Sequence, residues 1–160
     1  MVSEPLERTD RPAGLTIVQF NMTYEGFGLV IDFLSRHPPF ADFALKTLAE
    51  AVRRQLHLGH HQVALEAGTI VGYAGWLLTS EAIGSAWLAG RGKLLPIDPA
   101  LADAAALTTV AVREPAAVLP LMRGARYLNP GKRIFFRRDR ENRVRKSAVI
   151  NRPPADGSIA

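Results

Sequence analysis

The chain has 160 residues, 48% of them apolar and none of them cysteine, and its formal net charge at pH 7 is +5. This length and apolar content suit one domain with a substantial core. The lack of cysteine excludes disulfides, thiolate nucleophiles and cysteine-ligated zinc, and it fits a reducing cytoplasm. No apolar run approaches the roughly 20 residues of a membrane-spanning helix. We therefore expect a cytoplasmic protein without a membrane span, and we expect its polar, acid-containing N-terminus not to act as a secretory signal.

Polar, proline-containing segments lie at both ends of the sequence. We expect residues 1–14 and 151–160 to form flexible tails, because polar residues and proline dominate both segments and each has few apolar side chains to bury. No internal repeat or low-complexity block separates them. Residues 15–150 are therefore predicted to form a single domain.

Two helices are predicted in the first half. The stretch "TYEGFGLVIDFLSRH" carries apolar residues at helical spacing and stops at Pro38-Pro39. Because a residue before proline is disfavoured in the helical region, His37 should lie at the C-terminal end of this helix. The stretch "ADFALKTLAEAVRRQLHLG" repeats the spacing and has Gly59 as its stop.

Strands dominate the remainder of the chain. "QVALEAGTIVGYAGWLLT" predicts two strands joined by a tight turn at Ala67-Gly68, and "SEAIGSAWLAG" a short helix or turn. "LTTVAVRE" predicts a third strand, and Pro115 opens a helix that Pro120 would kink. "RIFFRR" is a fourth strand and "VRKSAVIN" a possible fifth. The order predicts an α/β fold, with a mixed, mostly antiparallel sheet flanked by helices.

Three of the four histidines, His57, His60 and His61, cluster at the end of the second predicted helix. A zinc site needs three or four ligands in good geometry, and no suitable carboxylate or cysteine motif accompanies them. We therefore interpret them as solvent-exposed histidines and predict no metal site.

Several nucleotide and acyl-transfer motifs are missing. The sequence contains no Gly-x-Ser-x-Gly elbow and no Walker loop. The strand–helix junction "VAVREPAAV" lacks the glycine-rich turn by which acetyl-CoA-dependent N-acetyltransferases hold a pyrophosphate. If the chain transfers an acyl group, we expect it not to hold CoA in that way.

A basic segment extends from Arg123 to Lys146, with ten Lys or Arg residues against two acidic ones. Such a segment attracts an acidic partner, which could be a nucleic acid, an anionic membrane, an acidic carrier protein or a phosphate-bearing cofactor. It could also be a solvated basic edge without a partner. A nucleic-acid platform on Phe135 and Phe136 is the least favoured function, since strand alternation exposes only one of the two rings.

Three segments of the sequence form an ordered pattern. A histidine and an aromatic precede an apolar helix in "SRHPPFADFALKTLAEAV". A strand pair ends in small residue–Trp and then Thr and Glu in "VALEAGTIVGYAGWLLTSE". A helix with Met-Arg leads into a basic strand in "LMRGARYLNPGKRIFFRR". In this order the three segments resemble the toxin-activating lysine acyltransferases, which fatty-acylate hemolysin-type toxins. The match covers roughly residues 25–140.

The resemblance implies a fold related to the GNAT N-acyltransferases, with acyl-acyl carrier protein as the donor and an internal lysine of a polypeptide as the acceptor. It also implies a catalytic histidine and aspartate. His37 occupies the histidine position, and the aspartate position falls on Thr109, or on Thr108 if the alignment slips by one. Because Thr109 cannot ionise, it cannot orient an imidazolium by charge. Asp103 is an alternative that could substitute spatially.

The predicted site follows from these matches. His37 is expected to act as a general base, because a neutral imidazole is suited to accept a proton from an amine near pH 7. We expect no bound cofactor, no metal and no nucleic acid as partner, and a homodimer is one option for the assembly. Substrate binding is expected of Phe40, Tyr73, Gly75 and Trp76, and carrier-protein binding of Arg123, Arg126, Lys132, Arg133, Arg137 and Arg138.

Three alternatives also fit the sequence. His37 could be a helix-terminal cation that interacts only with the helix dipole, and Trp76 could be packed in the core. The chain could also be a catalytically impaired relative that binds a carrier protein or a client polypeptide without acyl transfer, as the threonine at position 109 would allow.

Overall fold

The computed structural model describes residues 14–140 and 143–150, with side chains described up to residue 137. Within these residues, six strands and four α-helices follow one another in the order β1, α1, α2, β2, β3, α3, β4, α4, β5, β6. The strands are β1 (Leu15–Val18), β2 (His61–Glu66), β3 (Thr69–Thr79), β4 (Ala104–Val112), β5 (Arg133–Arg140) and β6 (Arg143–Ile150). The helices are α1 (Tyr24–Leu34), α2 (Leu45–Leu58), α3 (Glu81–Leu88) and α4 (Val118–Leu128). The tails predicted at 1–14 and 151–160 lie outside the described residues, apart from Gly14.

The strands form one sheet in the chain order β1-β2-β3-β4-β5-β6. Every neighbouring pair is antiparallel except β4 and β5, which are parallel because α4 crosses between them. The predicted fold class is confirmed, and the possible fifth strand of the sequence exists as β6. The sequence did not indicate β1, since its four residues at the sheet edge are too few for a clear period.

The predicted helices α1 and α2 exist, with different ends. The Thr23 hydroxyl accepts a hydrogen bond from the Gly26 N–H at 3.0 Å and begins α1. The helix ends at Leu34, earlier than the predicted end at His37. A 3₁₀ turn at Phe40–Asp42 then delays α2 to Leu45. Gly59 ends α2 in the left-handed region with φ 68°, as predicted.

The predicted kink of α4 does not occur. Residues Pro115–Ala117 form a separate 3₁₀ turn, and α4 begins at Val118. Pro120 therefore lies in the first turn of the helix, where backbone N–H groups lack intrahelical acceptors. The missing N–H of proline costs no hydrogen bond at that position, so α4 continues unbroken to Leu128.

Helices cover both faces of the sheet. On one face, α4 packs its Leu121 and Ala125 into a cluster with Ala74, Trp76 and Leu107 of the central strands. On the other face, α1 and α2 pack against β2, β3 and β4, and α3 packs next to them against β4 and β5. Within the part of the chain that the structure describes, no helix is long and apolar enough to span a membrane.

Candidate functional site

The parallel strands β4 and β5 pair over only part of their lengths. Their ladder runs from Ala104 opposite Arg133 to Leu107 opposite Phe136. Beyond those residues β4 continues to Val112 and β5 to Arg140, without pairing to each other. Because the strands are parallel, the resulting gap opens at their carboxyl ends, where open α/β sheets bind ligands. We call this opening the β4–β5 gap.

A β-bulge lies where the gap begins. On the β3 side, Gly75 pairs with Thr109 and Trp76 with Leu107, so that Thr108 has no partner in β3. Thr108 is exposed, whereas its neighbour Thr109 is buried. Bulges next to active sites redirect single side chains, and this one places a threonine hydroxyl at the closed end of the gap.

The buried side-chain amide of Gln55 contacts the bulge. The Nε2 of Gln55, on α2, donates to the Oγ1 of Thr109 at 3.1 Å and to the Oγ1 of Thr108 at 3.2 Å. The Oε1 of the same amide accepts from the Tyr73 hydroxyl at 2.8 Å. Burial raises the pKa of Tyr73 far above its usual value, so the phenol keeps the proton it donates. The network is neutral, and each member restricts the orientation of the next.

Gly75 completes this arrangement by having no side chain. A Cβ at position 75 would lie 2.2 Å from the Oε1 of Gln55, closer than any real contact of that kind. The amide therefore occupies the space that any larger residue at position 75 would need. Gly75 was expected to bind substrate, and the group that lies against it in the structure is the Gln55 side chain.

His37 lies just beyond the end of α1, before a cis peptide bond between Pro38 and Pro39. Its Nδ1 is 2.6 Å from the carbonyl oxygen of Phe33, and its ring lies 4.1 Å from the Phe33 ring. Since a carbonyl only accepts, Nδ1 carries the proton, and in the neutral ring Nε2 holds the lone pair. The ring is half-buried, and within residues 14–137 its Nε2 has no hydrogen-bond partner. This is the tautomer that a base requires.

The predicted partners of His37 make other contacts. No hydrogen bond or ring contact in residues 14–137 joins His37 to Thr109, whose hydroxyl is held by Gln55. Asp103 precedes β4, about 20 Å along the strand from Thr109 at the usual rise per residue. Its Oδ1 accepts from the Glu81 N–H at 2.8 Å, in the first turn of α3. Asp103 thus supports α3 in the structure, and it does not replace a carboxylate at position 109.

The residues expected to bind substrate are largely internal. Phe40, Tyr73 and Trp76 are all buried, with Phe40 and Tyr73 in the cluster beneath α1 and α2 and Trp76 beneath α4. The core-packing alternative for Trp76 is what the structure shows. A role for these side chains in binding stays a prediction.

The interpretation of the histidine cluster as solvent-exposed was wrong for His61. His61 is fully buried: its Nδ1 lies 3.1 Å from the Gln55 carbonyl oxygen, and its Nε2 accepts the Phe20 N–H at 2.9 Å. Burial lowers the pKa of His61, and burial followed by the nearby Lys132 charge lowers that of His60. No three potential metal ligands of the His, Cys, Asp or Glu types come together among the described residues.

The six basic residues expected to bind a carrier protein do not share one face. Arg123 and Arg126 are exposed on α4. Arg133 forms an ion pair with Glu81 at 3.6 Å, on the opposite, α3-covered side of the sheet. Arg137 lies on that side too, with its guanidinium carbon 5.8 Å from the Trp87 ring centre. Lys132 is half-buried near His60, and the side chain of Arg138 lies outside the described residues.

The aromatic platform considered for nucleic acid is not exposed. Phe135 is buried against α3, and Phe136 is half-buried on the α4 side. Strand alternation sends the two rings to opposite faces, as the sequence indicates.

Sequence reasoning missed Gln55 and gave Thr108 only as an alternative. The sequence does contain one indication that Gln55 is buried. Its position falls on the same apolar face of α2 as Leu48 and Val52. A polar residue on a buried stripe needs an internal partner. The sequence does not indicate that partners of Gln55 lie on a strand more than fifty residues further along the chain.

No family model matches the chain, and no curated protein sequence matches it. Solved structures resemble its fold. The GphF GNAT-like decarboxylase, solved with isobutyryl-CoA, superposes with a TM-score of 0.50 at 19% identity, over 77% of this chain and 64% of that protein. A GNAT-family acetyltransferase from Streptococcus agalactiae gives 0.49 at 14% identity, over 81% and 79% of the two chains. Malonyl-CoA decarboxylase from Agrobacterium vitis gives 0.49 at 13%, over 78% of this chain and 33% of that one. The chain has a GNAT-like fold.

Proposed function

We propose that this protein transfers a fatty acyl group from acyl-acyl carrier protein to the ε-amino group of an internal lysine of a polypeptide. The observation that carries the proposal is the β4–β5 gap, with a bulge at its closed end and open carboxyl strand ends. The GphF decarboxylase shares this fold and was solved with an acyl thioester, which supports a thioester donor. The lysine acceptor and the activation of a toxin-like polypeptide rest on the resemblance of the three sequence segments.

The junction between β4 and α4 supports a carrier protein rather than CoA as donor. The N–H groups of Arg113 and Glu114 both donate to the Val71 carbonyl, at 2.8 and 3.4 Å. Pro115 has no N–H, and the N–H of Ala117 donates to the Glu114 carbonyl at 2.9 Å. Backbone N–H groups at such a junction are what a pyrophosphate binds, and most of them are occupied here. A phosphopantetheine arm on a carrier protein brings no pyrophosphate.

His37 serves as the general base in this proposal. The neutral lysine nitrogen attacks the thioester carbonyl carbon, and its surplus proton passes to Nε2 of His37. The carbon–sulfur bond then breaks, its electron pair goes to sulfur, and the imidazolium returns the proton to that thiolate. The Phe33 carbonyl holds Nδ1–H throughout and stabilises the imidazolium. Thr109 acts here through its hydroxyl contact with Gln55, because it has no charge to offer.

Charge brings the acidic carrier protein to this chain. Arg123 and Arg126 project from α4, the helix that connects β4 to β5. Attraction between exposed charges is screened within about 10 Å at 0.1 M salt. The dissociation constant for the carrier protein is therefore expected to rise with salt, as titration calorimetry in increasing NaCl would measure.

The test is coexpression of the full chain with each polypeptide encoded beside its gene, followed by intact-mass analysis. A mass gain equal to a fatty acyl group on one of them is expected. His37→Ala should lower the rate of that gain by about 100-fold or more, the usual contribution of a general base. His57→Ala removes an exposed histidine of α2 and is the matched control. Full transfer by His37→Ala would disprove the base role, and no mass gain on any neighbour would count against the transferase.

The second candidate is a binding protein without transfer activity. The specific observation in its favour is the threonine at position 109, which carries no negative charge to pair with His37. Binding of acyl-acyl carrier protein with unchanged masses of all candidate acceptors would select this function over the first.

A further inference from the structure

Thr108 combines three features that no other residue of β4 shares. It is the bulge residue, so β3 does not pair with it, and it is the first residue beyond the β4–β5 ladder. It is also exposed, while Leu107 and Thr109 on either side are buried. Its side chain is therefore accessible at the closed end of the β4–β5 gap.

The Thr108 hydroxyl is placed to donate a hydrogen bond to a ligand. Tyr73 donates to Oε1 of Gln55, which turns the amide so that Nε2 faces the bulge. The Thr108 oxygen accepts from that Nε2, so its own proton is directed to another acceptor. Thr109 accepts from the same nitrogen but is buried, with 3% of its surface exposed. The bulge therefore presents one oriented hydroxyl donor, that of Thr108, to a molecule in the gap.

The opposite strand carries a basic residue at the corresponding position of β5. The last ladder pair is Leu107 with Phe136, so Arg137 is the first residue of β5 beyond the ladder, as Thr108 is in β4. Its guanidinium lies by the Trp87 ring, on the same face of the sheet as Gln55. A hydroxyl donor and a guanidinium on the two strands both favour an oxygen that carries negative charge.

We infer that Thr108 is the binding site for the carbonyl oxygen of an acyl thioester, and that Gln55 is the positioning residue that orients it. This inference rests on the proposed function. As the amine nitrogen bonds to the carbonyl carbon, the oxygen gains negative charge and its hydrogen bond from Thr108 strengthens. The proton stays on Thr108. When the carbon–sulfur bond breaks, the carbonyl double bond forms again and the electron pair leaves with sulfur.

The test uses dodecanoyl-pantetheine labelled with ¹³C at the thioester carbonyl, bound to the full chain and observed by isotope-edited infrared spectroscopy. A hydrogen bond from Thr108 moves the carbonyl band to lower wavenumber than in the free probe. Thr108→Val removes the hydroxyl at nearly equal shape, so the band should return towards its free position, and Thr108→Ser should restore the shift. Gln55→Leu should give an intermediate band, an effect that loss of stability alone would not produce.

Transfer kinetics give a second readout. Thr108→Val should lower kcat by about 100-fold with little change in KM, the pattern of a contact that strengthens in the transition state. Thr69→Val makes the same exchange at an exposed position of β3 that is remote from the gap, and it should behave as the wild type.

The outcomes separate the two proposals. A shifted band that disappears in Thr108→Val, with no acyl transfer to any polypeptide, supports the carbonyl site and contradicts the transferase. Transfer at the wild-type rate by Thr108→Val, or a band that this variant leaves in place, overturns the carbonyl site and leaves the transferase intact. Failure of the wild-type chain to bind the probe or shift its band also overturns the carbonyl site.

Discussion

The two sides of β4 differ sharply. On one side, β4 pairs with β3 from Ala104 to Val112, interrupted only by the bulge at Thr108. On the other, it pairs with β5 only from Ala104 to Leu107 and then faces the gap. The closed side is fixed by tight internal contacts among Gly75, Gln55 and Tyr73, whereas the open side presents Thr108. The fold thus places the residues that hold the site in shape on one side of β4 and the group that faces a ligand on the other. Substitutions on the two sides should therefore change the free energy of unfolding by different amounts.

The largest effect is expected on the closed side, at Gly75. In Gly75→Ala the new Cβ would overlap the Gln55 amide, which must then give up its contacts with Tyr73 and Thr109. We expect the free energy of unfolding to fall by about 2–3 kcal/mol, as for other overpacked cores. Urea unfolding followed by circular dichroism measures it.

Gly28→Ala is the matched control for that substitution. A Cβ at Gly28 in α1 meets nothing within 4 Å, and alanine is the better helix former by about 0.5–1 kcal/mol. This variant should be slightly more stable than the wild type. Equal stability of the two variants would contradict the tight fit at Gly75.

The Tyr73 hydroxyl tests the next contact of the closed side. Tyr73→Phe leaves the buried Oε1 of Gln55 without its donor, and such a group costs about 1–3 kcal/mol. Tyr127→Phe removes an exposed hydroxyl from α4 and should change the free energy of unfolding by less than about 0.5 kcal/mol. Indistinguishable urea midpoints for the two variants would show that the Tyr73 hydroxyl does not stabilise the amide.

The free energy of unfolding is also expected to depend on pH, through His60 and His61. Burial lowers the pKa of His61 and of His60 in the folded protein, so the unfolded chain binds more protons as the pH falls below about 6.5. Both imidazoles contribute fully to the free energy of unfolding above that pH. This contribution is lost as the pH falls through their lowered pKa values in the folded protein. Thermal unfolding between pH 8 and pH 5.5 should show a falling Tm, and a Tm that rises over this window would contradict the buried neutral state.

The smallest effect on stability is expected on the open side. Thr108→Val leaves Gln55 its contact with Thr109, and valine suits a strand as well as threonine does. We expect a change within about 0.5 kcal/mol, typical of exposed positions, measured by the same urea titration. A loss as large as that of Gly75→Ala would mean that Thr108 belongs to the support and not to the ligand-facing side.

The sequence predicted most of the elements but few of their contacts. Apolar periodicity predicted α1, α2, β2 and β3, because each signal lies within one short segment. The start of α2 was placed too early, since the 3₁₀ turn at Phe40–Asp42 interrupts the pattern. His61 was taken as exposed because its two partners come from other parts of the chain: Phe20 from the connection between β1 and α1, and Gln55 from α2.

The sequence by itself determined the α/β class, the mostly antiparallel sheet and the corner that holds His37, because those depend on local patterns of apolar residues, glycine and proline. Only the tertiary structure decided which groups stand at the β4–β5 gap. Gln55 and Thr109 are 54 residues apart in the chain, and no local pattern records their hydrogen bond. The bulge at Thr108 and the end of the ladder at Leu107 likewise depend on how three strands register against one another. Such pairings arise only when distant segments are packed together.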